Sequence, residues 1–505
     1  MKTKLLFVLI IFLAFVLRLW DLGKNPPGIN LDEAAIGWNA YSILKTGRDE
    51  YGRYFPLQFR SLDDYKPPLY IYLTVPSVAF FGMNEFSVRL PSAILGVMAV
   101  IMVFLLTKEL FKNNWVALSA SFLLAISPWH LQFTRTAYET GSLAFFTTAG
   151  LLFFLKSLKK WPWLILSAIF FGLELYLYQA AKVFVPLFIF ALFILYFRKS
   201  LFLFATIFVL FFLPSFYLSA TPEGRLRAWG TSIFQEMRPK KLDYAPTIIN
   251  NYLLHFSPQF LFGLNLGSKV TYVPNVGLMY LWELPLLLAG LYYLFKEKDK
   301  KLAFIMTAWI LLSPVPASIT TGLPSSIRTA IFLPSLQIIT ALGAINLFKK
   351  YKILIPLFSF LSLGFLIFYL RMLSMPAPVS GSKTWYQGYR QIIEGSAKLA
   401  PKYGRVLVSN RLDQTLNFYL FFLNYDPKKF LEIDGGRISG GFAENQNHFS
   451  NFYFRQNIEY QKERNTPKTL FVGAPDDFPG GVKTLKKFSF SNGEPSAYIV
   501  AGDYQ

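Results

Sequence analysis

Two kinds of residue in this sequence could do chemistry on a phosphate. One is an acidic pair, Asp32-Glu33, that opens a stretch with apolar residues at helical spacing. A carboxylate there can take a proton from an attacking hydroxyl, and it can equally cap a helix by accepting backbone N–H groups. Capping is the default for an Asp in that place, so the pair by itself assigns no reaction. The other is a set of cations on separate segments: Lys66, Arg135 with Glu139 four residues on, Lys182 and Arg328, each at the edge of an apolar run. Any one of them can simply snorkel from a helix end. Four on one side and at one depth form a seat for a phosphate at the headgroup level, where Arg binds two oxygens at once and Lys supplies a point charge.

The elements that must hold these groups belong to a membrane protein. Of the 505 residues, 53% are hydrophobic and only 16% charged, more apolar surface than one soluble core can bury. The net charge of +21 comes mostly from short Lys and Arg clusters between apolar runs, which set orientation in a bilayer. A nucleic-acid partner is not implied. The sequence has no Cys, so disulfides, thiolate metal sites and a Cys nucleophile are excluded, and three His residues (His130, His255, His448) cannot build a His-rich metal cage. The N-terminus has the basic start and apolar body of a signal peptide without a small-x-small cleavage site, and reads as an uncleaved first span.

Eleven segments approach span length, at about 4–20, 88–107, 115–130, 140–156, 162–178, 182–197, 200–218, 276–295, 302–320, 328–348 and 353–371. Lys and Arg clusters mark every second gap. By the positive-inside rule the N-terminus is then cytoplasmic, and the outer segments are 21–87, 131–139, 178–182, 219–275, 321–328 and everything after Arg371. Leu69 to Gly82 is apolar but short and broken by Pro76, so it is expected to be an amphipathic helix in the outer interface. A second interfacial helix is expected from Asp32 to near Gly47, with Ile36, Ala40, Ile43 and Leu44 on one face. The tail 376–505 holds no span-length run. Two short buried strands, Arg405 to Ser409 and Thr469 to Gly473, with a helix over Gln414 to Leu423 between them, predict a small α/β domain outside the membrane.

Asp32-Glu33, the run Lys66-Pro67-Pro68-Leu69-Tyr70, the run from Asn84 to Ala93 and the segment Arg135 to Glu139, in that order and spacing, resemble the GT-C glycosyltransferases. The branch resembled is the one holding protein O-mannosyltransferases and lipid A aminoarabinose transferases. The resemblance covers about residues 1–375 and is strongest in the first 150, with Arg328 and Phe332-Leu333-Pro334 resembling a late basic and Pro signature. It implies a multi-pass GT-C-like catalytic domain (1–375) in the cytoplasmic membrane, followed by an extracytoplasmic domain (376–505). It further implies inverting transfer of a sugar from a polyprenyl-phosphate donor to a protein, lipid or glycan acceptor on the outer face. By position, Asp32 matches the family's first-loop carboxylate, Lys66 the lysine that meets the lipid phosphate and Glu139 a second acid. Tyr65 stands where the aminoarabinose branch has an acid, with Asp64 one residue earlier, so a divalent cation on Asp64 and Glu139 is compatible with the reaction but not required.

The chemistry agrees with that resemblance. Displacing a lipid phosphate from an anomeric carbon needs a base for the acceptor proton and positive charge for the departing phosphate. Asp32 supplies the base, with Glu33 beside it as a second candidate catalytic carboxylate, and Lys66, Arg135, Lys182 and Arg328 supply the charge. Tyr178, with Trp38, Tyr41, Trp129 and Tyr138, can stack on a sugar ring or anchor at the interface. Glu174 and Glu283 fall inside spans, where ionisable groups are costly. A transporter or flippase of a lipid-linked saccharide is the alternative. It would favour broken helices and repeated halves, of which the sequence shows neither.

Overall fold

In a computed structural model the chain forms two compact units, one of Met1–Asp21 with Ser92–Ser374 and one of Leu22–Pro91 with Met375–Gln505. The structure describes residues 2–61, 64–236, 243–263, 275–374, 386, 388–439, 446–490 and 493–503. The first ten helices are α1 (Lys2–Leu19), α2 (Leu31–Thr46), α3 (Leu69–Phe81), α4 (Glu85–Phe111), α5 (Asn114–Ile126), α6 (Pro128–Thr134), α7 (Leu143–Ser157), α8 (Trp163–Glu174), α9 (Ala181–Leu195) and α10 (Leu201–Ala220).

Every segment expected to span contains a helix. The last four are Glu283–Lys296, Lys300–Leu312, Ser335–Lys350 and Leu354–Ser374. Among the described residues, six helical stretches are long and apolar enough to cross a bilayer, and a seventh if α5 and α6, bent by 57°, count as one. Of the remaining expected spans, α1 has 18 residues and carries Lys2, Lys4 and Arg18, while α8, α9 and Glu283–Lys296 are shorter helices. α10 and Leu354–Ser374 expose Phe202, Leu210, Phe216, Phe360, Leu363 and Ile367, the side chains that suit contact with lipid. Inside the first unit, helices Glu283–Lys296 and Ser335–Lys350 pack backbone to backbone. A Cβ on Gly290 would lie 1.9 Å from the Ile339 carbonyl oxygen, and one on Gly343 2.0 Å from that of Leu286. Small residues that let backbones touch are a main source of helix association in lipid, where no hydrophobic effect drives helices together.

The second unit is built on a six-stranded sheet of β3 (Arg405–Ser409), β4 (His448–Phe449), β5 (Phe452–Arg455), β6 (Thr469–Gly473), β7 (Thr484–Ser489) and β8 (Pro495–Ala501), ordered β4-β5-β3-β6-β8-β7. β3 runs parallel to both β5 and β6, with Arg405 opposite Thr469, and β8 closes antiparallel on β6. The two expected strands are therefore neighbours at its centre, buried because both sheet faces are covered. The expected helix between them is Thr415–Phe422.

Packing groups the first outer loop with this sheet domain rather than with the spans. α2 is buried on nearly all sides, from Glu33 through Ile43, with Trp38 edge-on to Phe430 at 5.1 Å. It ends at Gly47, whose left-handed φ of 70° lets its N–H return to the Ile43 carbonyl. α3 has 13 residues, about 20 Å of helix, too short for a hydrocarbon core of about 30 Å. Its buried face carries Tyr70, Ile71, Thr74, Ser77 and Val78, while its C-terminal end exposes Phe80 and Phe81.

Gly290→Ala or Gly343→Ala is expected to lower the thermal unfolding midpoint in detergent, by about 1–3 kcal/mol of overpacking. Gly364→Ala, where a Cβ would meet nothing within 4 Å, is expected to leave it unchanged.

Candidate active site

The acidic pair opens α2, and the two residues have different partners. Asn30 is the N-cap: its Oδ1 accepts from the Glu33 N–H at 2.9 Å, and its own N–H donates to Glu33 Oε2 at 3.1 Å, a reciprocal capping box. Glu33 is fully buried and also paired with Arg89 of α4, whose Nε and Nη2 donate to its two oxygens at 2.9 and 3.1 Å. The other donors of that guanidinium go to the carbonyls of Leu22, Pro26 and Gly28, so the buried Arg89 is fully satisfied. Glu33, expected beside Asp32 as a catalytic acid, is thus an anchor for the helix start.

The Asp32 side chain is 41% exposed. It accepts from the Lys66 ammonium, itself only 11% exposed. Lys66 is held by a short antiparallel hairpin, β1 (Phe59–Ser61) and β2 (Asp64–Lys66), with Phe59 opposite Lys66. Asp64 faces Ser61 in that ladder, and its side chain lies outside the described residues. In the same unit the Tyr386 hydroxyl donates to Asp413, and its pKa is raised by burial first, then by Asp413, with the Asp32 charge adding. Asn30, Arg89, Tyr386 and Asp413 were not picked out from the sequence. Asn30-x-x-Glu33 is a legible capping-box pattern, whereas Asp413 carries no local signal.

The remaining expected cations lie in the first unit. Lys182, in the first turn of α9, donates to Ser219 Oγ on α10 at 2.9 Å. Arg328, half-buried, donates to Thr320 Oγ1 at 2.6 Å and to the Thr321 carbonyl. Close by, His255 Nε2 accepts from the Ser325 N–H at 3.2 Å, which places the ring proton on Nδ1, 2.8 Å from the Asn251 carbonyl. Burial, with the Arg328 charge adding against that hydrogen bond, brings the His255 pKa down to about 4 and keeps it neutral near pH 7. Tyr178 is half-buried in the turn between α8 and α9.

Arg135 is almost fully buried. Its Nη1 and Nη2 donate to the carbonyls of Leu17 and Trp20, at the C-terminal end of α1, at 2.7 and 2.9 Å. Arg18 of α1 reciprocates at the C-terminal end of α5, donating to the carbonyls of Leu124 and Ala125 and to His130 Nδ1 at 2.8 Å. Arg135 thus satisfies carbonyls at the end of the helix that carries Arg18, and Arg18 those at the end of α5, just before α6, where the helix dipole favours a cation. Arg135 caps α6 and Glu139 opens a separate short turn (Glu139–Ser142), so the two are not successive positions on one helix. Glu174, at the end of α8, is buried and accepts from Thr147 Oγ1 at 2.5 Å. Among the described residues no three His, Asp or Glu gather as metal ligands.

Residues 65–218 match the family model described as dolichyl-phosphate-mannose-protein mannosyltransferase. A stretch of 106 residues is 34% identical to "Putative mannosyltransferase YkcB" of Bacillus subtilis (strain 168), spanning 21% of this chain and only 15% of that protein's length. Among solved structures, apo ArnT from Cupriavidus metallidurans superposes with a TM-score of 0.59 over 97% of both chains at 12% identity. The same protein bound to undecaprenyl phosphate gives 0.55 at 14% identity, again over 97% of both chains. The Archaeoglobus fulgidus oligosaccharyltransferase with Zn and sulfate gives 0.53 at 16% identity, over 83% of this chain and 61% of that one. The GT-C resemblance therefore holds in sequence across residues 65–218 and in fold across nearly the whole chain.

Glu33→Ala is expected to destabilise the second unit by about 3–5 kcal/mol, because it strands the buried Arg89 charge. Asp32→Ala is expected to cost less than about 1 kcal/mol, its ion pair being partly solvated. Thermal unfolding of the two variants in detergent compares them directly, and equal losses would give Asp32 a structural role as well.

Proposed function

We propose that this chain is an inverting glycosyltransferase that moves a sugar from a polyprenyl-phosphate donor to an acceptor hydroxyl or amide on the outer face of the cytoplasmic membrane. One observation carries the reading: a part-exposed carboxylate, Asp32, in the first turn of α2, paired with a largely buried lysine, Lys66, on the β1–β2 hairpin. The similarity of residues 65–218 to a family named for dolichyl-phosphate-mannose transfer supports it, as does a fold shared with a protein crystallised with undecaprenyl phosphate.

The reaction follows from that pair. The acceptor heteroatom attacks the anomeric carbon from the face opposite the phosphate, and Asp32 takes its proton. The bond from the anomeric carbon to the phosphate oxygen breaks with both electrons leaving on oxygen. Lys66 meets that oxygen with positive charge, which stabilises the leaving group where charge develops. In this proposal Lys66 is shared between the carboxylate and the incoming phosphate. Arg135 is assigned to holding the ends of α1 and α6. A divalent cation on Asp64 and Glu139 is given no step.

With a synthetic polyprenyl-phosphate sugar in proteoliposomes, Asp32→Asn is expected to lower turnover by about 10²–10⁴-fold with donor binding retained, the range a lost general base produces. Lys66→Ala is expected to weaken donor binding as well. Normal turnover in Asp32→Asn would remove it from the mechanism, and flux of labelled lipid without covalent product would replace the transferase reading with a flippase.

A further inference from the structure

The loop that precedes the hairpin exposes an apolar tip that the reaction does not use. Tyr54 and Phe55 are each 63% exposed and Leu57 54%, with Pro56 between them. Three consecutive large apolar side chains around a proline, all turned outward, are costly in water and suited to the headgroup and acyl boundary of a bilayer.

What covers them follows from their attachments. The Tyr72 hydroxyl of α3 donates to the Pro56 carbonyl at 2.9 Å, and the Tyr72 ring meets Phe59, at the start of β1, edge-on at 5.6 Å. The tip is therefore fastened to α3 at Tyr72. From there the outward side of α3 continues through Pro76 and Ala79 to Phe80, 84% exposed, and Phe81, 53% exposed. Phe81 in turn packs edge-on against Phe86 at 5.3 Å, in the first turn of α4, a helix of 27 residues that passes as a membrane span. The apolar surface of the tip is thus joined to the surface of a helix that enters lipid. Its other border carries two ion-paired arginines: the Arg48 guanidinium lies 4.5 Å over the Tyr54 ring and 3.8 Å from Glu432, and Arg53, 41% exposed, pairs with Asp49 at 2.8 Å. Aromatic residues with cations beside them are the composition of a membrane interface.

We infer that the loop Tyr54–Leu57 is a membrane-inserting wedge that seats in the same leaflet as α3. Residues 59–66 lie between these two apolar elements in the chain, so the wedge and α3 together fix the depth of the β1–β2 hairpin and hold Lys66 at the level of lipid phosphates. The insertion stands on exposure and attachment alone, while the purpose given to it rests on the proposed role of Lys66.

The chain has no native Cys, which makes single-site spin labelling clean. Phe55→Cys and Leu57→Cys are labelled with a nitroxide in proteoliposomes of the full chain. Phe80→Cys serves as the reference on α3, and Asp476→Cys, whose native side chain is 84% exposed, as the reference in the sheet domain. Collisions with oxygen are expected to exceed those with a water-soluble nickel chelate at 55 and 57, as at 80, and the order is expected to reverse at 476. Nickel-dominated collisions at 55 and 57 would overturn the inference in favour of a tip that waits in water for an acceptor. Exclusion of both reagents would overturn it in favour of a protein partner or a second copy of the chain. The readout needs no turnover, so failure of the wedge and failure of the transferase reading are seen separately.

Discussion

The buried ion pair between Arg89 and Glu33 is the constraint on which the second unit depends. A fully buried guanidinium is tolerable only when its donors are matched, and here they are matched by one carboxylate and three carbonyls of the segment 22–28. That single side chain therefore ties α4, the loop leading to α2 and the first turn of α2 into one geometry. Asn30 and Glu33 cap the helix between them, while Asp32 has a different partner, Lys66. Two adjacent carboxylates come to do unlike work through about 100° of helical rotation.

The same economy of buried charge runs through the first unit. A helix end leaves carbonyls without intrahelical partners. Arg135 meets those at the end of α1 and Arg18 those at the end of α5. The bend of 57° between α5 and α6 is held at this point, since Arg18 also reaches His130 just beyond the break. Elsewhere in the unit contact is made by removing side chains instead, at Gly290 and Gly343, where backbones meet directly. In the second unit the corresponding lock is the buried pair of Glu50 with Arg437 at 2.7 Å, which fastens the first loop to the sheet domain.

Much of this was legible in the sequence, for reasons that differ from element to element. Hydropathy located every helix expected to span, because length and apolarity are properties of a single segment. β3 and β6 were legible as short apolar runs since both are buried on two faces, while β7, with Lys486 and Lys487 exposed on its edge position, gave no such pattern. The side on which α3 shows its apolar residues and the burial of α2 are tertiary facts that periodicity does not encode. Arg89 stood within a recognised motif, yet its role depends on residues 56 to 67 positions away in sequence. Arg135 illustrates the opposite difficulty: a lone Arg at a span edge looks the same whether it awaits a phosphate or satisfies a neighbouring helix, and only its contacts with Leu17 and Trp20 distinguish the two.

The proposed chemistry gives this arrangement a further logic. Asp32 lies in the first turn of α2, where the helix dipole favours a negative charge, and Lys66 adds a second stabilising charge. A charge that favours a carboxylate's ionised form also opposes its taking a proton. If the donor phosphate draws the Lys66 ammonium away, one of those two supports is withdrawn at the moment the acceptor must be deprotonated. Donor binding would then switch on the base, and an acceptor arriving without donor would meet a carboxylate still held by its lysine. The placement of Lys66 on the β1–β2 hairpin matters for that exchange, because a lysine free to follow either partner over a wide arc would couple the two events only weakly.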